Sequence, residues 1–349
     1  MTFKVGDKLI GNNEPVFIVA EIGANHNNDL TLIKKTIDAA FACGVDAVKF
    51  QTYTAEELLS DYERFITYGV SGKEVTEPIG DMFNKLSLQR EWHHEIFEYS
   101  RKLGLVPFST PFSIDGVDFL NQLEVPCFKI AASDVNYLPM LQHIGQTRKP
   151  VMLSLGKCTI GEADEAICTL ENNGTKDMVI MHCVAQYPSP MEDMNLKTIQ
   201  TLKLQYPDKI IGFSDHTTGA TAAIGAVVLG AKVIEKHFTL DKNLEGPDHW
   251  FSMDPKDMKF MVDEIRNIEM ALGSSRKQIA KSEIGERKTS IRSIVLNTDI
   301  EVGQSIWESD VKFTRPGWGI EPRDLNKVLG LKVNQKLKKH TVLEWKYFK

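Results

Sequence analysis

Eight short, β-rich apolar runs recur through residues 16–239, and their repetition limits the folds open to this chain more than any other feature. They are VFIVAEIG (16–23), AVKFQTY (47–53), LVPFSTPF (105–112), CFKIAASD (127–134), VMLSLGK (151–157), MVIMHCVAQYP (178–188), IIGFSDHT (210–217) and KVIEKHFT (232–239). Between most of them lie amphipathic stretches of helical period, such as LTLIKKTIDAAFACG and LQREWHHEIFEYSRKLG. Strands that are apolar along their whole length belong to a parallel sheet covered on both faces. Eight strand–helix units in succession predict a (β/α)8 barrel, a TIM barrel, rather than an open doubly wound sheet. No G-x-G-x-x-G opens a helix, which counts further against a dinucleotide-binding sheet.

Two segments depart from that rhythm. Residues 54–86 separate the second and third runs and read as an extended loop, of the length found in lids and binding loops. Residues 274–290, SSRKQIAKSEIGERKTS, are polar and charge-rich and read as a linker. The predicted division is a barrel over 1–273, the linker over 274–290, and a small β-rich domain over 291–349. A weak internal repeat marks that last domain, where Ile300, Gly303 and Ile306 match the spacing of Leu337, His340 and Leu343.

Composition excludes several classes. The net charge of −6 offers no basic face to nucleic acid or an anionic membrane. No apolar run approaches the roughly 20 residues needed to span a bilayer, and MTFKVGDKLIGNNEP has no signal-like apolar core. Five scattered cysteines without a C-x-x-C read as small core residues of a reducing compartment, so a cytoplasmic location is expected.

In a β/α barrel the chemistry gathers at the C-terminal ends of the strands. Those ends supply Glu21, Lys49, Gln51, Ser109, Thr110, Lys129, Ser133, Asp134, Ser154, Tyr187, Ser214, Asp215, His216, Glu235 and His237. A serine or threonine there serves equally as a helix cap. Lys49 and Lys129 are more informative, because an ammonium in an apolar strand needs an anionic partner, either a bound anion or a structural carboxylate. With Thr110, Ser154 and Ser214 they could form a floor for phosphate and carboxylate groups. His216 and His237 end neighbouring strands and can face one site. Two imidazoles completed by water or substrate oxygen suit an open divalent site, Mn2+ first, with Mg2+, Co2+ or Zn2+ also compatible. His26, His93 and His94 are expected at the surface or behind the site.

Several of these segments together resemble the N-acetylneuraminate (sialic acid) synthases and their legionaminate and pseudaminate relatives. AEIGANHNND, VKFQTY, STPF, KIAASD, HCVAQYPSP, GFSDHT, EKHFT, GPDHWFSMDP and RPGWGI carry the likeness, which spans essentially the whole chain. It implies a barrel followed by an antifreeze-like (SAF) domain, in a domain-swapped homodimer. It also implies condensation of phosphoenolpyruvate with an N-acetylated amino sugar and release of phosphate by C–O cleavage. N-acetylmannosamine is the first acceptor to expect, and a 2,4-diacetamido-trideoxyhexose the alternative.

Carried over by position, the resemblance makes His216 and His237 metal ligands. Lys49, Thr110, Lys129, Ser154 and Ser214 would hold phosphoenolpyruvate. Glu21, Gln51, Tyr187 and Asp248 would hold the sugar, with Arg315 reaching in from the partner subunit. Asp134 would handle the attacking water, and Glu21 and Asp248 are further candidates for proton transfer. Three positions depart from the bacterial sialic acid synthase pattern. Asp134 replaces a common Glu, Ala132 a common Ser, and Ala185 a common Asn.

Two rival readings differ in class. An enzyme making seven- or eight-carbon sugar acids from a phosphorylated aldose needs a second anion site, usually with arginine, and no strand end here carries one. A non-catalytic carbohydrate-binding protein would leave the lysines, carboxylates and histidines idle.

Overall fold

The eight runs close into one barrel in the computed structural model, which describes every residue of 1–349 except Ser71 and Lys73. The strands are β1 Phe17–Glu21, β2 Ala47–Thr52, β3 Val106–Pro111, β4 Phe128–Ile130, β5 Val151–Ser154, β6 Met178–Cys183, β7 Ile210–Asp215 and β8 Val233–His237. All neighbours pair in parallel, and β8 closes onto β1 with Glu235 opposite Val19 and His237 opposite Glu21. The chain divides into two compact units, Met1–Gly273 and Ser274–Lys349.

Side chains alternate along each strand, so every second residue faces the lumen. The lower inward positions are apolar: Phe17 and Val19, Val106 and Phe108, Val179 and Met181, with Ala47, Cys127, Met152, Ile210 and Val233. An N-terminal hairpin, Thr2–Val5 with Lys8–Gly11, adds Phe3, Val5 and Ile10 to the same cluster. The lumen is therefore a filled core at that end. The outward residues of the strands pack under the surrounding helices, as Ile18, Val48, Ile130, Ile180 and Ile234 do. Continuing the same alternation upward brings the polar residues of the strand ends to the inside.

The segment expected to be an extended loop has structure of its own. It contains helices Ala55–Leu58 and Ile79–Leu86 and a hairpin pairing Phe65–Tyr68 with Val75–Pro78. Thr54 and Glu57 form a capping box at the first helix. Ile79, Met82 and Leu86 then pack with Ala24 against Leu59, Ile66, Tyr68 and Phe83, a satellite core that orders the excursion. Residues 274–290 likewise are not wholly irregular, because Glu283–Ser290 is helical, with no buried side chain.

The second unit is built around the strands Ser293–Leu296 and Val311–Thr314, paired antiparallel. Its internal repeat has a structural counterpart. Ile300 and Leu337 bond to each other in both directions, N to O at 2.8 and 2.9 Å. Gly303 and His340 both sit in the left-handed region, at φ 79° and 73°. Ile306 and Leu343 are both buried in the unit's core.

Candidate active site

A cavity of about 760 Å³ opens at the C-terminal ends of the strands; of the candidate site residues named from the sequence, Ser109, Asp134, Asp215 and Arg315 do not line it and the others do. Its floor is a network of buried charges. Lys49 Nζ lies 2.8 Å from Glu21 Oε2 and 3.8 Å from Glu235 Oε1, and donates to Thr110 Oγ1 at 3.1 Å. Lys129 Nζ donates to Ser154 Oγ at 2.7 Å and lies 3.6 Å from Glu235 Oε1. Ser214 Oγ donates to Glu235 Oε1 at 3.0 Å, and Gln51 Nε2 to Glu21 Oε1 at 2.8 Å. The partner demanded by the two buried ammoniums is thus present within the protein, as a pair of carboxylates.

Their protonation follows from burial set against these neighbours. Burial lowers the affinity of both lysines for their protons. At Lys49 the carboxylates of Glu21 and Glu235 outweigh it and raise the pKa; at Lys129 burial prevails and the pKa falls. Burial raises the Glu21 carboxyl despite Lys49. It also works on Glu235, yet the ammoniums of Lys129 and Lys49 bring that carboxyl below its usual range.

Glu235 was not among the site residues assigned from the sequence, and it links both lysines. Its signal was present: it stands two residues before His237, on the same inward face of β8. Cys183 was also passed over as a core residue; it lines the cavity, with Sγ 3.8 Å from His216 Nδ1.

The two histidines meet as expected. Their ring centroids are 5.1 Å apart, and the Tyr187 ring stands edge-on to His216 at 4.5 Å. Burial pushes His216 well below the ordinary imidazole range and His237 down to about 3, so both rings are neutral and hold a free lone pair. His237 Nδ1 is buried without a hydrogen-bond partner, 3.5 Å from Asp248 Oδ2. Burial, with the charge of Glu21, raises Asp248 to about 7. Among the described residues no three His, Cys, Asp or Glu side chains form a closed metal cluster. The two neutral, adjacent imidazoles could together hold a cation whose other positions are filled by oxygen ligands.

An ion pair behind the strands aims both rings. Asp215 and Lys236 point away from the lumen and are fully buried, with Lys236 Nζ 2.7 Å from Asp215 Oδ2. Lys236 also donates to Thr217 O at 2.5 Å, and Asp215 Oδ1 accepts from Thr217 N at 2.8 Å. The residues flanking His216 are held outward and His216 itself turns inward.

Asp134 does not extend the fourth strand. β4 stops at Ile130, and Ala132–Asp134 is a short 3₁₀ turn closed by Asp134 N to Ala131 O at 3.0 Å. Ala131, Ala132 and Ser133 line the cavity instead. Asp134 is largely buried, Oδ2 has no partner, and burial raises its pKa to about 6 against the opposing charge of Lys129. Arg315 belongs to the second unit. His26 and His93 are buried and structural, not surface residues. His93 Nε2 is 2.8 Å from Thr52 Oγ1, and His26 Nδ1 accepts from Asn28 N at 2.9 Å. His94 is exposed.

The departures Ala132 and Ala185 meet around Gly156. A Cβ there would lie 2.9 Å from Ala132 Cβ, 3.0 Å from Ala185 Cβ and 3.2 Å from Cys183 Sγ. The upper wall is different again. Arg64, Ile66, Thr67, Tyr68 and Gly69 of the 54–86 excursion reach the cavity, as do Leu58, Leu59, Met82 and Phe83.

A (β/α)8 barrel with ionisable groups converging at its C-terminal mouth defines a barrel enzyme. The chain belongs to the NeuB family, whose model matches residues 36–277, while the SAF domain matches residues 291–349. N,N'-diacetyllegionaminic acid synthase of Legionella pneumophila is 38% identical over 98% of this chain and 97% of its own. Pseudaminic acid synthase of Helicobacter pylori is 38% identical over 95% and 97%. The solved N-acetylneuraminic acid synthetase of Leptospira borgpetersenii superposes with a TM-score of 0.73 at 32% identity, covering 82% of this chain and 95% of that one. No described helix is long and apolar enough to cross a membrane.

The buried pair behind the histidines has a measurable consequence. Lys236→Ala leaves Asp215 buried and unpaired, and it should cost about 3–5 kcal/mol in urea unfolding, the scale for one broken partner of a buried pair. A loss below about 1 kcal/mol would show that the pair does not hold this corner of the barrel.

Proposed function

We propose that the barrel condenses phosphoenolpyruvate with an N-acetylated amino sugar to make a nonulosonic acid, with loss of phosphate by C–O cleavage. The observation that carries this reading is the convergence of Lys49, Lys129, Glu21 and Glu235 beside two neutral, adjacent imidazoles in one cavity. The names of the relatives at 38% identity agree with it.

In this reading Lys49, Lys129 and the hydroxyls of Thr110, Ser154 and Ser214 bind the phosphate and carboxylate of phosphoenolpyruvate. Gln51, Tyr187 and Asp248 hold the sugar so that its aldehyde carbon meets C3 of phosphoenolpyruvate. C3 bonds to that carbon, the carbonyl oxygen takes a proton from Asp248 or Glu21 to become a hydroxyl, and the positive charge left at C2 is stabilised through space by Glu235 and its neighbours. Asp134, which follows the lining residue Ser133 and keeps a buried, unpartnered Oδ2 within the field of Lys129, is the proposed acceptor of the proton from the water that adds at C2, and the resulting tetrahedral carbon expels phosphate. A divalent cation on His216 and His237, Mn2+ first and Mg2+, Co2+ or Zn2+ as substitutes, would supply Lewis-acid polarisation of the sugar carbonyl.

For the acceptor, the wall built by Leu58, Leu59, Ile66, Met82 and Phe83 favours a deoxygenated sugar end over a hydroxylated one. A 2,4-diacetamido-trideoxyhexose is the better match, and N-acetylmannosamine the second. Phosphate release across a panel of both sugars decides between them. The trideoxy sugar should have the higher kcat/KM by about tenfold or more, the range one such group can supply. Phosphate release from neither sugar would reject the condensation itself.

Three further outcomes test the assigned roles. His216→Ala and His237→Ala should each abolish Mn2+ binding in titration calorimetry and remove turnover, while a metal-binding isotherm equal to the native one would move the metal elsewhere. Asp134 is protonated below about pH 6 and ionised above it, so kcat should rise as pH increases through that value. Asp134→Asn should remove this limb and lower kcat about 10²–10⁴-fold; a loss under about tenfold would place the base elsewhere, with Glu21 the next candidate. A domain-swapped homodimer predicts that Arg315→Ala raises the sugar KM more than the phosphoenolpyruvate KM. Mixed dimers of Arg315→Ala with Asp134→Asn should then regain activity, and dimers that show no recovery would sink the swap.

A further inference from the structure

The motif GANHNND, read in the sequence chiefly for its histidine, builds a clamp around a different residue. After β1 the chain turns on two consecutive left-handed residues, Asn27 at φ 47° and Asn28 at φ 51°, a conformation asparagine tolerates better than most side chains. Asp29 then caps the first barrel helix by accepting from Thr31 N and Leu32 N. This compact loop presents Asn25, 1% exposed, to the segment that follows β8. That segment, residues 238–253, carries Asp248 and, among the described residues, has no regular strand partner beyond one bridge between Phe238 and Met253.

Asn25 Nδ2 donates to Phe238 O at 3.0 Å and to Ser252 Oγ at 2.9 Å. Ser252 Oγ in turn donates to Asp248 O at 2.6 Å. Asn27 adds a second tie, from Nδ2 to Glu245 O at 2.8 Å. One buried amide therefore grips both ends of the excursion, and its second bond passes through a single hydroxyl to the residue facing His237. We propose that Asn25 is a positioning residue that sets Asp248 over His237 and so fixes the sugar end of the site; its kinetic part rests on the function proposed above. A carboxylate of the same shape cannot substitute for it, because both bonds are donated by nitrogen.

Hydrogen exchange tests the clamp without reference to activity. In Asn25→Asp, and more mildly in Ser252→Ala, amides of residues 238–253 should exchange about tenfold faster or more, while those of β2 to β7 keep their native rates. Steady-state kinetics then tests the link to Asp248. Asn25→Asp should lower kcat/KM for the amino sugar about 10- to 100-fold, as expected of a misplaced group, with the phosphoenolpyruvate KM within about twofold. In an Asp248→Asn background the same change should add less than about threefold, because residues acting through one another are not additive. Native exchange rates in 238–253 in both variants would overturn the clamp. Multiplying kinetic losses would overturn its action through Asp248. Absence of turnover in the unmutated enzyme would instead reject the proposed reaction and leave the exchange result to judge the clamp.

Discussion

Alternation along parallel strands is the constraint from which the rest of this molecule follows. In a closed barrel each strand gives the lumen only every second residue, so adjacent strands must agree in register before any site exists. Here Glu235 lies opposite Val19, and His237 opposite Glu21, across the β8–β1 seam. The same step rule that packs Phe17, Val19 and Val233 into the lower lumen delivers Glu21, Glu235 and His237 to the upper one. Core and site are consecutive floors of one column. A shift of one residue in any strand would bury its polar set among the helices and expose its apolar set to the cavity.

Such a column carries a heavy desolvation penalty, since two lysines and two glutamates lie together out of water. The network offsets it by mutual pairing: Glu235 serves both ammoniums, Glu21 serves Lys49 and Gln51, and hydroxyls complete the shells. An unpaired ammonium in this position would lose its proton, and an unpaired carboxylate would gain one. The arrangement keeps paired charges in the cavity floor, while burial keeps the neighbouring imidazoles neutral. Outside the lumen a separate ion pair, Asp215 with Lys236, fixes the two corners from which those imidazoles project.

The loops divide the remaining work. The β1 and β8 loops are joined by side-chain amides, which keeps Asp248 near His237 although no sheet reaches it. The 54–86 excursion has its own small apolar core and adds a greasy wall to an otherwise polar cavity. Polar floor and largely apolar wall together give the cavity a direction.

Much of this was legible in the sequence. Eight apolar runs with helical spacers determined a parallel barrel, because only a sheet covered on both faces tolerates such strands. The paired motifs SDHT and EKH put two histidines at the ends of neighbouring strands, from which both can face one site. The spacing of Ile300 and Ile306 against Leu337 and Leu343 marked the duplication in the second unit. Other features depend on where the chain returns in space. Glu235 read as one more strand-end carboxylate until register placed it between lysines of β2 and β4, some 106 to 186 residues earlier in the chain. Asp134 read as part of a strand, yet β4 lasts three residues before a turn carries it out of the cavity lining. Asn25 carried no signal of its own in the sequence, and only the approach of residues 238 and 252 gives its amide a task. Periodicity is a local property and survives in one dimension. Pairing between charges, and between loops, is settled by strand register and closure, which exist only once the barrel is formed.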